Sequence, residues 1–119
     1  MTPRFRPPII PLVLVLTFTL SACQAGSAAS RADAPPVTGV TTVDAKDLEF
    51  RPPAIQVEPG TEVTWRFVDG SVPHNVKGDG FASEIQSRGT FSHRFERPGE
   101  YPYTCTLHGG MDGRVVVTG

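Results

Sequence analysis

Apolar residues in the second half of this chain recur at every other position, in runs too short and too often interrupted for helices. Val63, Trp65 and Phe67 alternate with Glu62, Thr64 and Arg66. Alternation with a period of two places one set of side chains on one face of an extended strand and the other set on the opposite face. Phe91 and Phe95 share a face in the same way, Tyr101, Tyr103 and Cys105 share another, and Val115 and Val117 close the chain in a β-branched run. Between these runs stand turn signals: Glu58-Pro59-Gly60, Asp69-Gly70, Gly78-Asp79-Gly80, Pro98-Gly99 and Gly109-Gly110. Twelve Gly and twelve Pro in 119 residues supply this punctuation. No stretch carries a convincing helical period. The pattern predicts an all-β domain of about seven short strands, a sandwich or a barrel.

The N-terminal residues follow different rules. Arg4 and Arg6 precede an apolar stretch from Ile9 to Leu20. That stretch is too short for a membrane-spanning helix, which needs roughly 20 residues, and has the length of a signal-peptide core. It ends in Leu20-Ser21-Ala22-Cys23, which resembles the lipobox of bacterial lipoproteins. The resemblance implies that residues 1–22 are a cleaved signal and that Cys23 is the lipidated first residue of the mature chain. Residues 24–38 are small and polar and include Pro35 and Pro36, the composition of a flexible tether. The folded domain is then expected over residues 39–119, about 80 residues, few for a stable core without a staple.

Charge narrows the function classes. Eleven Lys and Arg face twelve Asp and Glu, and no basic run or stripe offers itself to a nucleic acid. Loss of residues 1–22 removes Arg4 and Arg6 and no acid, leaving nine basic and twelve acidic side chains, a net charge of −3. The acids are scattered singly and read as a solvated surface. Two cysteines in an exported chain would ordinarily suggest a disulfide. With Cys23 assigned to a lipid, Cys105 is a lone thiol in an oxidising compartment, and metal ligation accounts for it.

Cys105, His108 and Met111 fall within seven residues, and His74 lies upstream between Pro73 and Asn75. Parity places the Cys105 side chain on the same face as Tyr101 and Tyr103, at the inner end of a strand, and the loop that follows returns His108 and Met111 beside it. One thiolate, two imidazoles and a thioether form a soft, mixed donor set suited to copper electron transfer. Zinc takes Cys and His but not ordinarily Met, and calcium and magnesium require oxygen donors. A cysteine hydrolase would need an oriented base and an oxyanion site, which this spacing does not provide.

From about Leu48 to Val117 the chain resembles the cupredoxins, blue copper proteins of the pseudoazurin, amicyanin and plastocyanin group. The resemblance rests on Val57-Glu58-Pro59-Gly60-Thr61-Glu62-Val63-Thr64-Trp65, on Pro73-His74-Asn75-Val76, and on Pro98 through His108 with Met111-Asp112-Gly113. It implies a small Greek-key β-sandwich with one copper ion. His74, Cys105 and His108 would be the equatorial ligands and Met111 the axial one, with Asn75 tying the ligand loops together through Thr106. Gly109 stands where many relatives have Pro. The interval from His74 to Cys105 is short for the family, so an edge strand is expected to be abbreviated or absent.

The implied function is one-electron transfer between exported or membrane-associated redox proteins, with His108 as the port for the electron and no catalytic residues. The chain is expected to act as a monomer, anchored through Cys23 on the periplasmic or outer face of a membrane. Copper storage or delivery is the alternative, against which the Cys105 thiolate counts; a role as accessory subunit of a copper enzyme is a further one. His93 shares parity with Phe91 and Phe95 and is expected to pack rather than to ligate. Trp65 is expected in the core, and Phe81 in a packing role or at the copper-side surface.

Overall fold

The structure, a computed structural model, describes residues 2–4, 8–11 and 29–119. Cys23, most of the expected signal and residues 24–28 of the expected tether lie outside the described residues. Among the described residues no helix is long and apolar enough to cross a membrane.

After a single 3₁₀ turn at Arg31–Asp33, ten strands follow: β1 (Val37–Thr38), β2 (Thr42–Lys46), β3 (Glu49–Arg51), β4 (Ala54–Val57), β5 (Thr61–Phe67), β6 (Lys77–Gly78), β7 (Phe81–Ala82), β8 (Gly89–Phe95), β9 (Gly99–Thr104) and β10 (Asp112–Val117). They form two sheets, one in the order β1-β4-β10-β9-β6-β7 and one in the order β3-β2-β5-β8. The expected all-β Greek-key sandwich is present. The strand count exceeds about seven because β1, β6 and β7 are two-residue pieces, too short for alternation to reveal. β6 and β7 occupy the interval between His74 and Cys105, where an abbreviated edge was expected.

Strand parity decides what the sandwich encloses. Along β5 Val63, Trp65 and Phe67 are buried, and along β10 Gly113, Val115 and Val117 are. Trp65 is the hub, with ring centroids of Tyr103 at 5.2 Å, Phe91 at 5.7 Å, Phe81 at 5.9 Å and Phe95 at 6.3 Å. Large aromatic side chains give an 80-residue domain more buried area per residue than aliphatic ones would. Gly113 makes room for the ring of Tyr103, its partner on β9: a Cβ there would run into that ring. Phe81 belongs to this core. His93 is half-buried, stacked on Phe81 at 5.0 Å and edge-on to Phe95 at 4.8 Å, a packing position.

Residues 30–38, expected as part of the tether, lie against the sandwich. The Arg114 guanidinium donates to the carbonyls of Ala32 at 2.6 Å and Ala34 at 3.0 Å while pairing with Glu100 at 2.7 Å. Arg31 meets Glu49 at 2.8 Å, and Val37–Thr38 adds a parallel strand beside Ile55 and Gln56. Small polar composition described the side chains here, but the segment is held through its backbone.

Candidate metal centre

β9 and β10 are paired through Thr104 and Asp112, so residues 105–111 form a loop at one end of the sandwich. Its neck is closed by hydrogen bonds. The Cys105 N–H donates to the Met111 carbonyl at 2.9 Å, and the Thr104 hydroxyl reaches the same carbonyl at 3.2 Å. Inside the loop the Met111 N–H donates to the His108 carbonyl at 3.3 Å. Gly110 has φ +81°, a left-handed conformation that turns the chain back toward β10 and that glycine adopts without steric cost. Cys105 and Met111 are buried, and His108 is half-exposed.

His74 arrives from the other sheet. Beyond β5 the chain turns at Asp69–Val72, where the Val72 N–H donates to the Asp69 carbonyl at 3.0 Å. His74 then exchanges two backbone hydrogen bonds with Gln86, at 3.0 and 2.9 Å, and its side chain is fully buried. The next residue joins the two loops: the Asn75 side-chain carbonyl accepts from the Thr106 N–H at 2.8 Å and the Thr106 hydroxyl at 3.1 Å.

These supports bring His74, Cys105 and His108 together, with one donor atom from each within 4.8 Å of the others. The His74 and His108 rings are 4.9 Å apart between centroids. His74 Nδ1 lies 3.9 Å from Cys105 Sγ. Its Nε2 donates to an Asp69 carboxylate oxygen at 2.8 Å, and His108 Nε2 donates to the Pro73 carbonyl at 3.0 Å. A carboxylate and a carbonyl only accept, so each Nε2 carries a ring proton, and in the neutral imidazole the Nδ1 lone pair is left for a metal. Two free imidazole nitrogens and a buried thiol, with a buried Met111 beneath the same loop, make a soft donor set that fits copper.

Asp69 and Gln86 were not anticipated. Asp69 stood out only as half of an Asp-Gly turn, and its reading as a solvated acid is corrected here: its side chain is 15% exposed and faces a buried imidazole. The hydrogen bond from His74 holds its carboxyl below the usual carboxylate range, helped by the backbone amides of Asp47 and Leu48. An acid five residues before a His at a turn was the available signal.

Residues 37–118 match the family model of copper binding proteins, plastocyanin/azurin family. The chain is a cupredoxin of that family. It is 34% identical over 105 residues to amicyanin-alpha of Methylorubrum extorquens, covering 82% of this chain and 86% of that protein. Halocyanin of Natronomonas pharaonis is 36% identical over 90 residues, 68% of this chain and 55% of its own. Among solved structures, a purple cupredoxin from Nitrosopumilus maritimus superposes with a TM-score of 0.61 at 28% identity, covering 66% of this chain and all (100%) of that one. The cofactor of this cupredoxin is copper, and the converging donors of His74, Cys105 and His108 can hold a single ion, with Met111 buried in the same loop.

Proposed function

We propose that His74, Cys105, His108 and Met111 hold one copper ion and that the cupredoxin passes single electrons between exported redox proteins. When bound, copper supplies a one-electron couple between Cu(I) and Cu(II). The observation that carries the reading is the convergence of three donors within 4.8 Å with both Nε2 atoms already occupied. Hydrogen bonds of the fold itself hold such a set, so little would have to move when the charge on a bound metal changes.

The protein's own residues divide the work. His74 is sealed in the fold and serves only to hold. His108 is half-exposed between exposed Pro73 and Leu107, which makes its ring the port through which a partner exchanges the electron. Burial of Cys105 and Met111 keeps water and competing thiols from the sulfur donors. Voltammetry of the copper-loaded protein beside a strong chelator tests this reading. A reversible one-electron wave with copper retained supports it; rapid surrender of copper to the chelator, without a wave, means delivery instead.

Export and anchoring extend the proposal. The Leu20-Ser21-Ala22-Cys23 sequence supports lipidation of Cys23, which would confine the domain to a membrane surface near its partners. Fatty-acid labelling that is lost in Cys23→Ser supports the anchor, and equal labelling of both proteins removes it.

A further inference from the structure

One oxygen of Asp69 connects the buried imidazole to a distant hairpin. Asp69 Oδ2 accepts from His74 Nε2 at 2.8 Å and from the Leu48 N–H at 3.3 Å. Leu48 belongs to the two-residue turn between β2 and β3, closed by the Lys46–Glu49 pair. Asp47 and Leu48 have φ of +53° and +59°, so both positions of this turn are left-handed. That geometry suits a tight hairpin but is ordinarily filled by Asn-Gly or Asp-Gly, because a branched side chain at positive φ costs on the order of 1 kcal/mol or more. Burial does not explain Leu48, whose side chain is half-exposed at 51%. The turn does deliver its N–H to the carboxylate behind His74.

The other imidazole lacks this arrangement. His108 Nε2 donates to the neutral carbonyl of Pro73 at 3.0 Å, at a half-exposed position. The buried imidazole thus has a full negative charge behind it in a low-dielectric setting, and the exposed one has a dipole. A carboxylate behind a metal-binding His fixes its tautomer and ring orientation and makes the other nitrogen a stronger donor.

We propose that Asp69, pinned by the Leu48 amide, is the positioning residue of the copper centre, fixing His74 with Nδ1 toward the metal and biasing the centre toward Cu(II). The inference rests on His74 being a ligand. The charge acts with a definite sign: a nearby anion stabilises the more highly charged ion, so removing it raises the reduction potential. The geometry acts as well: without an acceptor, the buried Nε2–H is unsatisfied and the ring gains a reason to turn or change tautomer.

Three variants separate these effects. Asp69→Asn keeps an oxygen that can accept from His74 but removes the charge; Asp69→Ala removes both; Leu48→Gly keeps the N–H and relieves the left-handed strain. In nitrogen-15 NMR of the copper-free protein, His74 is expected as the Nε2-protonated tautomer in the wild type and Asp69→Asn. It is expected to lose that selection in Asp69→Ala. With copper, Asp69→Asn should keep the intense visible band and show a raised potential, each tenfold selective loss of Cu(II) binding reading as about 59 mV. Asp69→Ala should lose about 10- to 100-fold in copper affinity, and Leu48→Gly should match the wild-type potential. A wild-type potential in Asp69→Asn, or wild-type tautomer selection in Asp69→Ala, overturns the proposal. The tautomer measurement needs no copper, so a protein that fails to colour with Cu(II) defeats the ligand assignment while the His74–Asp69 pairing is still decided.

Discussion

The two imidazoles at the copper end are held in opposite ways. His74 is fully buried, locked to Gln86 by two backbone hydrogen bonds and backed by Asp69. His108 is half-exposed in a loop whose next residues are Gly109 and Gly110, and its ring has one neutral acceptor, the Pro73 carbonyl. An electron carrier needs both kinds of support. A rigid side keeps reorganisation small when the metal changes charge, and an accessible side lets a partner approach. The difference shows that rigidity here comes from one half of the site and is lent to the other through Asn75 and Pro73.

Cutting that link should have the largest effect. Asn75→Ala leaves the Thr106 N–H and hydroxyl without their acceptor and frees the Cys105 loop from the His74 segment. Thermal or denaturant unfolding of the copper-free protein should show a loss of about 1–3 kcal/mol. Unchanged stability would mean the two halves are held together elsewhere.

The loop glycines sharpen the comparison with opposite signs. Gly110 has φ +81°, so Gly110→Ala should destabilise by about 1 kcal/mol or more. Gly109 has no positive φ and open space around its Cβ position, so Gly109→Ala should stabilise by about 0.4–1 kcal/mol through the unfolded state. The same sign in both variants would show that the loop does not hold the conformation described.

Tyr103 packs in the core against Phe50 and Trp65, and its change should disturb neither half. Among the described residues its hydroxyl is buried without a hydrogen-bond partner, and burial pushes its pKa well above the ordinary Tyr value. Because the folded state disfavours tyrosinate, this group's stabilising contribution is complete below about pH 10 and is lost as the pH rises above that value. Tyr103→Phe should weaken the alkaline loss and leave stability at neutral pH within about 1 kcal/mol. Unfolding midpoints measured across alkaline pH provide the check, and an identical alkaline slope in the variant would contradict it.

Much of this arrangement is legible in the residues because it depends on parity and spacing. The alternation of Val63, Trp65 and Phe67 marks β5, and the run from Tyr101 to Cys105 aims the thiol inward before any coordinates are known. Cys105, His108 and Met111 are close in sequence, so one loop brings them together. What escaped detection depends on backbone groups or on long-range pairing. The strap at residues 30–38 is held by carbonyls of Ala32 and Ala34, whose side chains carry no sign of it. Strands as short as β6 and β7 form by long-range pairing, β6 on the edge of β9 and β7 on β6. Asp69 acquires its role from a turn that points it at His74, for which an acid five residues before a His is the one sign, and Gln86 from a single bridge that its residue type does not signal.

The central claim is that Cys105 is a copper ligand within one site shared with His74, His108 and Met111. The most direct measurement is the absorption and EPR spectrum of the protein titrated with Cu(II), beside Cys105→Ala. One equivalent of copper is expected, with an intense visible thiolate-to-copper band, narrow hyperfine splitting, and complete loss of that band in Cys105→Ala. A colourless Cu(II) complex of the wild type, or a band that survives in Cys105→Ala, would contradict it.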